Sequence, residues 1–331
     1  MAELTSAGHS IFCGNSYELA IVSFGIEVNV EYKWKHCEYE WENQLQQKNA
    51  INSGSFDPYL CPFFDAAKAD GKLRIFFDLK DDTLVKTIYI PLDMATDKKG
   101  DGLLVAPITY IPGECTQFLD KMILFTYKYL QILMADSRGN GGGLVIYDSS
   151  TKRMCRVESD YMKPIHINFN INGNNFTFIN GIFGMTILHD ELYYAVVSGM
   201  EIHKMKIDAL LECPNKEEAN KLTKSVVKLT SQTADLAAAG NSIFYGDSYG
   251  LGVLGTKVSD ESDKNTVLLA QDNEIFQAIT STKSSYYWNQ LTGLSNKFQH
   301  MVQKTFSLDE INFHYFEIDL AEMQKKMDSI P

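Results

Sequence analysis

The feature that most limits what this chain can fold into is a strand–polar turn–strand device that recurs along it. Gly143-Leu-Val-Ile-Tyr-Asp148 runs into Ser149-Ser150-Thr151-Lys152 and resumes as Arg153–Val157. Leu192–Val197, Ser198-Gly199 and Met200–Ile207 repeat it, and Ser242–Tyr245, Gly246-Asp247 and Leu251–Val258 form a more degenerate copy. An earlier copy runs from Lys72–Asp78 through Asp81-Asp82 to Thr83–Ile90. Aromatic and β-branched residues alternate within each copy, the signature of paired strands. A lone hairpin cannot bury both of its faces, so several must stack, either around an axis or as a sandwich. The spacing, roughly 50–70 residues, is slightly longer than a usual propeller blade, and with the glycine-rich turns it favours an all-β propeller.

Helical signals are sparse. Lys216-Glu-Glu-Ala-Asn-Lys-Leu222, which follows Pro214, reads as a short helix between blades with i,i+4 charge pairs. Leu320, Met323 and Met327 stand at helical spacing; such a group reads first as packing and second as a surface for self-association.

Composition narrows the function classes. The 331 residues are 45% apolar and carry a formal charge of −12. That balance repels a phosphate backbone and no Lys/Arg stripe offsets it, so a nucleic-acid partner is excluded. Cys13, Cys37, Cys61, Cys115, Cys155 and Cys213 form no C-x-x-C pair and have no histidine at finger spacing, which argues against structural zinc. Their even number permits disulfides whose connectivity stays open. No apolar run reaches the roughly 18–20 residues of a membrane span. Met1-Ala2-Glu3 lacks a basic start, and Leu19–Ile26 reads equally as a degenerate signal region or a first strand.

From Ile132 to Lys206 a series of motifs occurs in order: Met134-Ala-Asp-Ser-Arg-Gly139, Gly143–Asp148, Cys155-Arg-Val-Glu158, Phe169-Asn-Ile-Asn-Gly173, Phe176–Met185 and Glu191-Leu-Tyr-Tyr-Ala195. This series resembles the central signature of the yellow / major royal jelly protein family. Tyr32–Lys35, Glu38–Trp41 and Ala50–Gly54 resemble its first strand and following loop; Asn296–Val302 and Phe306–Phe313 resemble its C-terminal end, nearest the royal-jelly branch. The resemblance implies a secreted, insect-associated, six-bladed propeller. It divides the chain into an N-terminal segment (1–31), a propeller (32–322) and a tail (323–331). It also implies that about one blade is missing near 57–73, where a cysteine-bearing strand of the family is absent, orphaning Cys61 and Cys115. Five tighter blades, an open ring, or a splice form or faulty gene model would each account for that gap. The apolar run Ile123–Leu133, where the family has a shorter strand, points to the last.

Chemistry is thin. His166, His189, His203, His300 and His314 are isolated, as are His9 and His36, and no metal-ligand spacing occurs. No hydrolase, zincin or phosphate-loop motif is present, and Gly139-Asn-Gly-Gly-Gly143 leads into a strand, as a tight turn does. No catalytic residue, cofactor or metal is therefore assigned. Members of the family bind biogenic amines in the axial channel or convert dopachrome, uses that need aromatic walls and a few fixed polar groups. By that resemblance Asp136, Phe178, Asn180 and Phe183 are the candidate ligand-binding residues, although Phe178 and Phe183 also read as core aromatics. Asn175-Phe176-Thr177 is a glycosylation sequon, expected on a surface loop. The reading favours a nutritive, storage or ligand-carrying protein for a small aromatic amine or other small apolar ligand. Its alternative is an enzyme of the dopachrome-tautomerase kind.

Overall fold

The computed structural model describes residues 25–35, 130–137, 142–148, 150–258, 266–285, 289–307 and 309–329. It also describes the short segments 3–6, 9–12, 44–45, 48, 66–69, 72–75, 91–96, 103–107 and 119–126. Its body is a β-propeller built from four-stranded antiparallel sheets, of which four are described. The first holds Leu119–Thr126, Leu130–Asp136, Gly143–Asp148 and Arg153–Val157. The second holds Ile182–Leu188, Glu191–Val196, Glu201–Lys206 and Lys224–Lys228. The third holds Leu236–Ala239, Ser242–Asp247, Gly252–Lys257 and Thr266–Gln271. The fourth is composite: Ala278–Ser285, Gln290–Asn296 and Phe313–Asp319 are completed by Val28–Trp34, which pairs antiparallel with the last of them. The first strands of the four sheets lie side by side around the axis, and Pro91–Thr96 lies against the innermost strand of the first sheet.

Three of the hairpins expected from the sequence are the second and third strands, or third and fourth strands, of these sheets. The earliest copy differs. Lys72–Ile75 pairs with Ala66–Ala69, and Thr83–Ile90 lies outside the described residues, as do Cys61 and Cys115. Within the apolar run Ile123–Leu133, residues 123–126 and 130–133 belong to two neighbouring strands of the first sheet.

Period-two alternation explains why middle strands such as Glu191–Val196 and Ser242–Asp247 are buried almost throughout rather than on every second residue. Successive side chains leave a strand on opposite faces, and both faces of the second and third sheets are covered by neighbouring sheets. Tyr194 packs with Leu133, Leu144 and Ile146 of the first sheet, while the adjacent Tyr193 packs with Leu236, Ile243 and Tyr245 of the third. The pattern continues one sheet on. Tyr245 faces back, while Phe244 packs forward against Leu291, Phe316 and Ile318 of the fourth. All five of these aromatic rings are at most 2% exposed.

Both expected helices are present. Lys216–Leu222 starts with a capping box in which Asn215 accepts from the Glu217 and Glu218 amides and Glu218 reaches back to the Asn215 amide. Its charges serve that cap and a tie to Asp160, which pairs with Lys216 and accepts from Asn220 at 2.8 Å. Leu320–Asp328 buries Leu320, Met323 and Met327 against the third and fourth sheets, so these methionines are core and not an exposed surface. The boundary drawn at 322 falls inside this helix.

Cys155, on the outer strand of the first sheet, is joined to Cys213, in the connection that leads to the outer strand of the second. The bridge staples two neighbouring blades and closes 58 residues of chain. Removing that constraint from the unfolded chain is expected to cost about 2–4 kcal/mol. Urea unfolding of a Cys213→Ser variant should show the loss, and an unchanged midpoint would rule out a stabilising staple.

Candidate functional site

In each sheet the chain enters the innermost strand at one rim of the propeller, and the turn between the second and third strands returns to that same rim. Entry segments 178–181, 232–234 and 276–280 therefore converge with the turn after Asp247, and between them they surround a cavity. The cavity measures about 620 Å³ when space open to solvent is counted. Five phenylalanines (Phe169, Phe178, Phe183, Phe276 and Phe298) line it, together with Ile171, Val197 and Ile279.

Two insertions supply part of this wall. A two-stranded ribbon, Asn168–Ile171 with Asn174–Thr177, precedes the second sheet and brings Phe169 and Ile171. The short helix Phe298–Gln303, inserted in the fourth sheet, brings Phe298. They meet over the cavity: Phe298 packs edge-on against Phe178 at 5.0 Å and Phe176 at 6.0 Å, and the Gln303 amide donates to the Asn175 carbonyl at 3.1 Å. Such tilted ring pairs contribute about 0.5–1.5 kcal/mol beyond the area they bury.

Backbone bonds hold the wall segment 178–181 rigidly. The Ser198 hydroxyl donates to the Phe178 carbonyl and accepts from the Asn180 amide, both at 2.9 Å, while the Ser198 amide donates to the Asn180 carbonyl. Gly181 follows because no side chain fits there. A Cβ at this position would stand 2.9 Å from the Ser137 carbonyl oxygen.

The polar groups on the wall are mostly engaged in supporting it. Gln232 donates to the His166 and Asn168 carbonyls, Ser248 to the Gln232 carbonyl, and Thr233, more distantly, to the Asp235 carbonyl. The Thr280 hydroxyl accepts from Asn296. Asp247, the one ionisable lining side chain among the described residues, accepts from Ser231, the Tyr249 and Gly250 amides and Thr230. Asn180 differs. It is 7% exposed, and its Oδ1 is buried without a hydrogen-bond partner among the described residues.

Of the four residues singled out in the sequence, the structure thus brings Phe178, Asn180 and Phe183 together on one cavity wall. Asp136 is not part of that wall. Its carboxylate is fully buried in the first sheet and accepts from the Arg156 guanidinium, which also bonds Glu158 at 2.6 Å. A carboxylate at a strand edge beside an apolar run looks the same in sequence whether it faces a cavity or a guanidinium. Phe169, Phe276 and Phe298 were missed. Phe169 and Phe298 lie inside motifs that carried the resemblance, whereas Phe276 stood in no motif. Asn175 is exposed, as expected of a sequon, but on a strand of the ribbon and not in a loop.

No group of three or more potential metal ligands occurs among the described residues, and no described helix is long and apolar enough to cross a membrane. His203 and His314 are buried in the second and fourth sheets. Burial holds the imidazole of each below its ordinary value, against a smaller opposing pull from Glu201 on His203 and from Asp272 on His314.

The family model for major royal jelly proteins matches residues 72–328. The chain belongs to that family. Major royal jelly protein 2 of Apis mellifera is 25% identical over 272 residues, 76% of this chain and 56% of the relative. Major royal jelly protein 9 of the same bee is 24% identical over 269 residues, 75% of this chain and 59% of the relative. The chain thus covers less than two thirds of the length of either relative. Among solved structures, the computationally designed Ika8 protein aligns at a TM-score of 0.32 with 12% identity, over 57% of this chain and 59% of that one. That likeness is too low to carry an argument.

Two outcomes follow from the buried charges. Arg156→Met takes from Asp136 the guanidinium it is paired with, and should destabilise the fold by about 3 kcal/mol; adding Asp136→Asn should recover part of that in urea titrations. The two histidines hold fewer protons folded than unfolded once pH drops below their ordinary value of 6.5. Their contribution is therefore complete above that pH and is lost as pH falls through their lowered values. Unfolding free energy measured from pH 7.5 to 5 should decline, and His203→Gln should flatten the slope.

Proposed function

We propose that this member of the family is a secreted, non-enzymatic carrier that holds a small aromatic or other small apolar ligand in the phenylalanine-lined cavity. The observation that carries the reading is the convergence of five phenylalanines on one cavity at the propeller rim, with Phe178, Asn180 and Phe183 among its walls. A mostly preformed apolar cavity with a few placed polar groups is the usual form of a small-molecule site. Secretion is inferred from the relatives, and it is compatible with the Cys155–Cys213 bridge, since such bridges persist in oxidising compartments. In that setting the exposed Asn175 is the proposed glycan site, on the ribbon that roofs the cavity.

The competing reading is a dopachrome-converting tautomerase. Moving a proton between two positions of a substrate calls for a general acid or base within reach of it. Asp247 is the only candidate on the described wall, and four donors already hold its carboxylate. This arrangement favours carriage over catalysis. Nutritive or storage use is compatible with carriage and needs no further site.

Fluorescence titration of the purified chain with 2-naphthol should give saturable binding. Phe178→Ala should weaken it about tenfold, equivalent to ~1.4 kcal/mol. Mixed with dopachrome, the protein should leave the rate of colour loss equal to that of a heat-killed control. Acceleration over that control would overturn the non-enzymatic reading.

A further inference from the structure

We propose that the Asn172-Gly173 turn at the tip of the ribbon is a site of spontaneous deamidation, and that its conversion unlocks the ribbon from the propeller rim. Asn172 and Gly173 are the two central residues of the hairpin turn between Asn168–Ile171 and Asn174–Thr177, with φ of 49° and 77°. Positive φ at both positions is the I′ form, which an Asn-Gly pair adopts readily. Asn172 is exposed, and its side chain makes no hydrogen bond among the described residues, although its carbonyl accepts from the Asn174 side chain at 3.1 Å. The exposed Gly173 amide donates to the Asn170 side chain at a long 3.3 Å, and nothing lies within 4 Å of where a Cβ would stand. This turn can therefore change conformation without collision.

The chemistry needs only water and hydroxide. The Gly173 amide gives its proton to hydroxide, and its nitrogen attacks the side-chain carbonyl carbon Cγ of Asn172. An N–Cγ bond forms, the Cγ–Nδ2 bond breaks, and the amino group takes a proton from water and leaves as ammonia. One water then opens the resulting cyclic imide at either carbonyl, leaving aspartate or isoaspartate at position 172. Either product adds a negative charge. Isoaspartate also adds a methylene to the main chain, which a two-residue turn cannot absorb, so the pairing of Asn170 with Asn175 and of Ile171 with Asn174 is lost. The ribbon is held to the rim through Phe176 against Phe298 and through the Gln303 bond to Asn175, both on the strand that would shift. The other Asn-Gly pair among the described residues, Asn180-Gly181, is closed to this reaction. Asn180 is 7% exposed, the Gly181 amide donates to the Ser137 carbonyl at 3.0 Å, and Ser198 clamps the backbone between them, so attack there must wait for the wall segment to open.

The test is to age the intact chain in mildly alkaline buffer and locate each lost amide by fragment-ion mass spectrometry. In the folded chain Asn172 should react at least about tenfold faster than Asn180, and in urea, where folding no longer separates them, the two should react at similar rates. Chymotrypsin should then cut the aged chain at Phe169 and Phe176 faster than the fresh chain. Asn172→Gly, which keeps the positive φ, should age without that change. If Asn172 keeps its amide as long as Asn180 does in the folded chain, the site is overturned. If Asn172 reacts but the aged chain resists chymotrypsin as the fresh chain does, the unlocking is overturned. Neither result bears on the carrier reading, which is decided by the naphthol titration.

Discussion

The described structure depends on sheets packing face to face around an axis, the second and third each burying both surfaces. A four-stranded sheet with one solvated face buries only every second residue; the second and third sheets bury both faces because a neighbour covers each side. Tyr193 and Tyr194 make the point within two residues, one ring buried toward the third sheet and the other toward the first. The disulfide between Cys155 and Cys213 and the tie of Asp160 to Lys216 reinforce the same first-to-second interface from outside. Val28–Trp34 supplies the outer strand of the fourth sheet, giving Phe313–Asp319 a partner on its second edge.

The cavity is a consequence of that packing. Inner strands crowd one another at the axis, but the segments entering them must spread apart at the rim, and the space left there needs a lining. The phenylalanines fill it only in part. They come from sheet entries, from the ribbon and from the helix Phe298–Gln303, elements far apart in sequence that meet through ring contacts and the Gln303 bond to Asn175. The polar side chains around them mostly support backbone.

The fold was legible because repetition is a property of sequence. The turns after Asp148, Val197 and Asp247, the capping residues Asn215 and Glu218, and the spacing of Leu320, Met323 and Met327 each act within a few residues of themselves. The site was legible only where it coincided with one continuous segment, Phe178 to Phe183. Asp136 stands apart from that wall, and its partner Arg156, 20 residues away on a strand two places across the sheet, left no mark near it in the chain. Phe276 carried no local mark, since its role arises from the aperture it faces and not from its neighbours in the chain.

By itself, then, the sequence determined the all-β repeat, the family membership and the segment that forms one wall of the cavity, because strand alternation, turns and caps are local. Only the tertiary structure decided which aromatic residues share the cavity, that Cys155 and Cys213 are paired, and that the Asp247 carboxylate is held by the protein while the Asn180 carboxamide oxygen has no partner. Those are matters of which groups converge after folding. Convergence across blades is set by the packing of whole sheets, and no spacing along a single chain encodes it.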